Sequence, residues 1–180
     1  FVAVCLVWHA LSAVHHYRSA HRDPTARDFA SYYYAVRVAL EGGDPYDKAS
    51  LGGAAREEAT RAGVHPFFYP PPYLLSMLWV APLDLVTAYR VWYWLDALCG
   101  LAAFYALWRW WQPLGPAVGI ALAASLAALT ALPNNHLMGQ MNLPVLLLVV
   151  LGLAAAERGR EGLGGVLLGV ACMMKMSPAL

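Results

Sequence analysis

Charge is scarce in this sequence: Asp, Glu, Lys and Arg make up 13% of its 180 residues. The 12 basic and 11 acidic side chains nearly cancel to a formal net charge of +1, and the basic ones are scattered. That excludes a nucleic-acid partner, because neutralising phosphates takes a concentrated basic face. Cysteine is scarce too. Cys5, Cys99 and Cys172 each lie in an apolar stretch without paired spacing or C-x-x-C, so they read as small buried hydrophobes. His15, His16 and His21 cluster, but no H-E-x-x-H or carboxylate-rich spacing accompanies them, and no metal site is expected. A Gly-rich phosphate loop and a G-x-S-x-G nucleophile motif are both missing, which removes support for nucleotide-dependent chemistry and for a serine hydrolase.

Apolar side chains fill the space that charge leaves. They make up 60% of the chain, too many for a soluble domain of this size, and a bilayer is the expected solvent. The runs 1–17, 86–108, 114–132, 143–156 and 162–180 each approach the ~20 residues that span a hydrocarbon core. Residues 1–8 lack the charged flank and cleavage site of a signal peptide and read as part of a first membrane helix. The chain starts without Met and stops inside an apolar run, so it reads as the N-terminal fragment of one polytopic membrane domain. Arg109, Arg158 and Arg160 mark two short basic loops, which belong on the cytoplasmic side. That assignment puts 18–85 outside, with 73–83 as a re-entrant helix that does not cross.

The external loop carries several signals. In "DFASYYYAVRVALEGG", Phe29, Tyr32, Tyr33, Val36 and Leu40 recur at helical spacing between Asp28 and the Gly42–Gly43 stop, which predicts an amphipathic helix on the membrane surface. "GDPY" predicts a turn, and 54–62 a polar helix with Glu57 and Arg61 paired one turn apart. Asp28 has two readings: an N-cap for free backbone N–H groups, or a carboxylate at the membrane edge that takes a proton from a hydroxyl. "FFYPPPY" predicts a polyproline strut that holds Tyr69 near the loop face, at a depth that suits sugars as well as lipid headgroups.

Two further places call for explanation. "PNNHLMGQMN" concentrates Asn134, Asn135, His136, Gln140 and Asn142 in what reads as a tight turn, either a plain polar connection or a functional site. Lys175, in "KMSP", lies ~20 Å along an outward-running apolar helix, where it either snorkels or pairs with an anion such as a lipid phosphate. Arg90 and Asp96 are also intramembrane and, six residues apart, do not share a helix face.

Taken in order, "DFASYYYAVRVALEGGDPY", "FFYPPPY", "GQMN" and "KMSP" resemble glycosyltransferase family 87, the polyprenyl-phosphate-mannose-dependent mannosyltransferases of the GT-C superfamily. The resemblance implies an all-α, multi-helix membrane bundle with a long first external loop carrying surface helices. It implies an active site on the non-cytoplasmic face of a bacterial plasma membrane, and Asp28 as the catalytic base. The implied donor is a polyprenyl-phosphate sugar, with mannose as the hexose and a glycan or glycolipid as acceptor; no metal or other cofactor is expected. Tyr69, His136, Gln140, Asn142 and Lys175 are the candidate substrate-binding residues, chosen on chemistry and topology. Two other classes stay open: a lipid or sugar transporter with Asp28, Asp96 and Lys175 as pathway charges, and a non-catalytic membrane subunit.

Overall fold

The computed structural model describes residues 28–58, 64–128 and 131–175, together with the helical positions Val7, Leu11, Val14, His15 and Arg18. The first apolar run therefore falls largely outside the described residues, as do His16, His21 and Arg61 with its expected partnership to Glu57. From residue 28 onward, eight α-helices and two 3-10 turns occupy the described residues, without a strand among them. We number the helices α1 (Asp28–Leu40), α2 (Lys48–Glu57), α3 (Pro71–Ser76), α4 (Leu85–Trp111), α5 (Pro116–Ala128), α6 (Ala131–Met138), α7 (Asn142–Glu157) and α8 (Glu161–Met174).

Helix α1 starts at Asp28 and gives way to a turn at Gly42, as the sequence predicts. It is not a surface helix. Phe29, Ala30, Ser31, Tyr32, Tyr33, Tyr34, Ala35, Val36 and Val38 are all buried, so the apolar surface wraps around α1 rather than forming one stripe. Its neighbours explain why. Phe29 meets Tyr89 and Trp92 of α4 at ring-centroid distances of 5.5 and 6.0 Å, while Tyr32 meets Tyr69 and Tyr73 at 4.9 and 5.1 Å. Burying each such ring contributes roughly 1.5–3 kcal/mol, and the tyrosines also find hydrogen-bond partners. Tyr33 donates to the Leu83 carbonyl at 2.9 Å and Tyr34 to Glu58 Oε2 at 3.1 Å.

The remaining loop differs in register from the sequence expectation. Asp44 accepts from the Tyr46 backbone N–H in the expected turn. Asp47 then caps α2 by accepting from the N–H groups of Ala49 and Ser50, which starts that helix six residues before the predicted 54. The proline run is also divided. Pro70 is extended, but Pro71 and Pro72 open α3, where a missing N–H costs nothing and φ is already helical. Helix α3 has six residues and the following 3-10 turn three, far short of a membrane crossing.

Helix α4, capped by Asp84, is the framework element. With its 3-10 extension it runs through Leu114 and is long and apolar enough to cross a membrane; no other helix among the described residues meets that standard alone. One side of α4 is covered, and Val91, Trp94, Leu98, Leu101 and Tyr105 on the rest are exposed. Helix α7 runs parallel to it: Leu143 sits where a Cβ on Gly100 would come within 2.9 Å, and Trp110 hydrogen-bonds Glu157 near the far ends of both. Helix α8 returns antiparallel against α7. At their contact a Cβ on Gly164 would lie 2.8 Å from the Gly152 carbonyl oxygen, a separation only hydrogen allows. This antiparallel return brings the end of α8 back to the start of α7, beside α1.

Candidate active site

The polar turn expected at 133–142 is instead the end of helix α6 and a sharp reversal. The N–H of Gly139 bonds the His136 carbonyl and the N–H of Gln140 bonds the Asn135 carbonyl, the two bonds of a Schellman motif. Gly139 adopts φ +67°, and a Cβ there would fall 2.7 Å from Phe29 Cβ, so glycine is required both by conformation and by space. Helix α4 clamps the reversal: Trp92 Nε1 donates to the Gly139 carbonyl and Tyr89 to the His136 carbonyl, each at 2.8 Å. The effect is to deliver Gln140 to the first residue of α1.

Asp28 is the centre of what results. Its Oδ1 lies 2.7 Å from His65 Nδ1, and its Oδ2 accepts from Gln140 Nε2 at 2.7 Å. Asn142 Nδ2 donates to Gln140 Oε1 at 2.9 Å, and Lys175 Nζ donates to Asn142 Oδ1 at 2.5 Å. Every donor in this relay points toward Asp28. The ends explain the polarity: an ammonium has only donors and a carboxylate only acceptors, so both amides are forced into one orientation. Aligned bonds of this kind polarise one another. The carboxylate is thus held directly by His65 and Gln140, with Asn142 and Lys175 behind Gln140, which bears on the capping reading of Asp28.

A cleft of ≈ 380 Å³ opens over this relay, lined by Asp28, Ser31, Tyr32, His65, Phe68, Tyr69 and Lys175 among others. Its size falls within the range of small-molecule sites. Phe68 is 81% exposed at the cleft, whereas Phe67 beside it is buried. Tyr69 accepts from the Tyr32 hydroxyl at 2.8 Å, and Tyr46 reaches the Tyr69 carbonyl. Burial holds the Tyr32 and Tyr69 hydroxyls above their ordinary pKa, so both stay protonated donors at neutral pH.

Asp28, Tyr69, Gln140, Asn142 and Lys175 are therefore gathered at one place. His136 is not. It projects from α6 toward α4, where its Nδ1 lies 2.9 Å from Asp96 Oδ2 at an angle outside hydrogen-bond geometry, and its ring meets Tyr93. Asn135 Nδ2 donates to the same Asp96 oxygen at 2.8 Å. This second cluster is sealed: the Asp96 side chain is 1% exposed, and Asp96 Oδ1 and Asn135 Oδ1 have no partner among the described residues. Arg90, on the same helix, points elsewhere and is exposed.

His65 is the residue that sequence reading passed over. It stands alone in "GVHPFF", 37 positions from Asp28, and no spacing rule joins the two. Its one local signal is Pro66, which confines the preceding residue to extended backbone and so fixes where the imidazole starts. Among the described residues no group of three His, Cys, Asp or Glu is arranged to hold a metal ion.

Compared with known proteins, the chain matches the model of glycosyltransferase family 87 over residues 67–180, more than half of its length. The chain belongs to that family, and its substrates are accordingly a sugar donor and an acceptor. Asp28 and His65 lie before the matched region; Tyr69, Gln140, Asn142 and Lys175 lie inside it. No curated protein and no solved structure matches the chain.

Proposed function

We propose that this glycosyltransferase moves a hexose, mannose by family resemblance, from a polyprenyl-phosphate donor to a glycan or glycolipid acceptor, with inversion and with Asp28 as the general base. The observation that carries the reading is the relay from Lys175 through Asn142 and Gln140 to Asp28, set at the edge of an open cleft. Asp28 drives removal of the acceptor hydroxyl proton as the oxygen attacks the anomeric carbon. Lys175 stands at the other end, where a cation offsets negative charge gathering on the departing lipid phosphate. That phosphate is a weak base and leaves without a general acid, so one carboxylate suffices, unlike the pair an inverting glycosidase needs. Gln140 and Asn142 orient the two charged ends, and Tyr69 and the exposed ring of Phe68 offer surfaces for sugar or lipid. No metal is called for by this chemistry.

Membrane placement in a multi-helix bundle of GT-C type is part of the same proposal. The cleft lies at the start of α7 and the end of α8, while Arg109, Arg158 and Arg160 lie at the opposite ends of α4, α7 and α8. Basic residues mark the cytoplasmic side, which supports a cleft facing the other way. Cysteines introduced at positions 58 and 159 are expected to label from outside only at 58.

The test of the catalytic reading is Asp28→Asn in the full-length protein. It is expected to lower transfer from radiolabelled polyprenyl-phosphate mannose by ~10²–10⁴-fold while accumulation in membranes is unchanged. Transfer at a near wild-type rate would sink the assignment of Asp28. Movement of labelled donor across vesicle membranes without covalent transfer would favour a transporter instead.

A further inference from the structure

We propose that Phe68 is the stacking platform for the hexose being transferred: its ring meets the C–H face of the donor's sugar, not the isoprenoid chain behind the phosphate. The proposal rests on the Asp28 cleft being the transfer site and adds the residue there that recognises the donor as a sugar.

Inversion fixes where the hexose lies. The acceptor oxygen enters on one side of the anomeric carbon and the phosphate leaves from the other. With the acceptor hydroxyl at Asp28 and the phosphate at Lys175, the transferred ring is the part of the substrates that must lie between them. Asp28 and Lys175 line the same cleft of ≈ 380 Å³, so that ring sits inside it. Helix α1 contributes Asp28, Ser31 and Tyr32 to the lining, and the segment from His65 to Pro70 contributes the rest apart from Lys175.

The lining suits a sugar and not a lipid tail. Among the described residues that form it there is no Leu, Ile, Val or Met; charged groups, hydroxyls and an imidazole are joined by Phe68 and two prolines. An isoprenoid calls for aliphatic contact, whereas a pyranose calls for hydrogen-bonding groups around its rim and a flat apolar surface for its C–H face. The exposed leucines that follow in the chain, Leu75 and Leu78, do not line the cleft.

Three aromatic rings do line it, and two are already engaged. Tyr32 is buried, and Tyr69 packs on Tyr32 and Tyr73 at centroid distances of 4.9 and 4.6 Å. Phe68, 81% exposed, keeps its face free. Its backbone is nevertheless held on both sides. Phe67 is buried against Tyr46 and Tyr73, with centroids 5.4 and 6.0 Å away, and the Tyr69 carbonyl accepts from the Tyr46 hydroxyl at 2.9 Å. Pro66 and Pro70 stiffen the chain beyond these anchors. The segment is thus ordered before the sugar arrives, which lowers the entropy lost on binding.

The test uses the full-length protein in native membranes. Transfer from radiolabelled polyprenyl-phosphate mannose is measured beside inhibition by polyprenyl phosphate, which has the lipid and the phosphate but no sugar. Phe68→Ala is expected to raise KM for the mannosyl donor about 10-fold with kcat within ~3-fold of wild type, as loss of a contact made equally in ground and transition states does. The inhibition constant of polyprenyl phosphate is expected to stay within ~2-fold of wild type, because that ligand never made the contact. Phe68→Trp is expected to recover the donor KM, and Phe68→Leu, apolar but without a π face, is not. A parallel rise in KM and inhibition constant, or recovery by Phe68→Leu, would overturn the proposal and assign the ring to the lipid. An unchanged KM in Phe68→Ala would overturn it outright. Each of these results leaves Asp28 and sugar transfer standing, whereas no transfer by the wild-type protein would overturn both readings.

Discussion

Two polar clusters in this molecule are assembled from nearly the same parts. One joins Asp28, His65, Gln140, Asn142 and Lys175; the other joins Asp96, Asn135 and His136. Each has a carboxylate, an amide and a histidine. They differ in access: the first opens on a cleft, whereas the carboxylate of the second is buried. Residue type therefore does not separate chemistry from architecture here. A buried, imperfectly paired cluster serves the fold by joining α4 to α6, and an accessible one with a polarised relay can act on a substrate.

The largest effect expected outside the cleft is at the sealed cluster. Asp96→Ala leaves the buried Asn135 amide without its hydrogen-bond partner, which costs about 1–3 kcal/mol. A lower unfolding temperature in detergent, with transfer per folded molecule retained, would sustain the comparison. Abolished transfer in an equally stable variant would break it.

At the open cluster, Lys175→Met is expected to lower kcat/KM about 10–100-fold with a stability loss of only ~1 kcal/mol, since a half-buried charge and its one hydrogen bond to Asn142 give way to an apolar chain of similar length. Donor titration of the variant measures this, and an unchanged value would remove Lys175 from phosphate binding. Gly139→Ala sharpens the link between the two clusters, because the reversal holds Asn135 and His136 on one side and Gln140 on the other. Its strained φ and the collision with Phe29 are expected to cost ~1–3 kcal/mol and to lower kcat through displacement of Gln140. Thermal unfolding and initial rates on one preparation test both halves.

The smallest change is expected from Tyr69→Phe. It keeps the ring at the cleft but takes the acceptor from the buried Tyr32 hydroxyl, for a stability loss of ~1 kcal/mol and transfer within ~3-fold of wild type. A much larger fall in transfer would mean that the hydroxyl itself meets the substrate.

Several features are legible along the chain because they are local. The helix at Asp28, its stop at Gly42, the turn at Asp44 and the long apolar stretch of α4 each follow from propensity, capping or hydropathy over a few consecutive residues. The faces are harder. Tyr32, Tyr33 and Tyr34 are consecutive, so no helical period can say that all three are buried; only the arrival of α2, α3 and α4 on different sides does. The proline run misleads for a related reason, since extended and first-turn helical φ values coincide at proline and the following chain decides which is used.

The amino-acid sequence by itself determined how apolar this chain is and which polar residues it can spare for chemistry, because hydropathy and side-chain type are properties of single positions. The pairing of those residues belonged to the tertiary structure. Gln140 meets Asp28 across 112 positions because Tyr89 and Trp92 seize the carbonyls around Gly139 and turn the chain toward α1. The same turn directs His136 inward to Asp96, and an extended segment fixed by Pro66 brings His65 to the place His136 was expected to fill. Neither choice can be read along the chain, since each depends on which helix lies opposite.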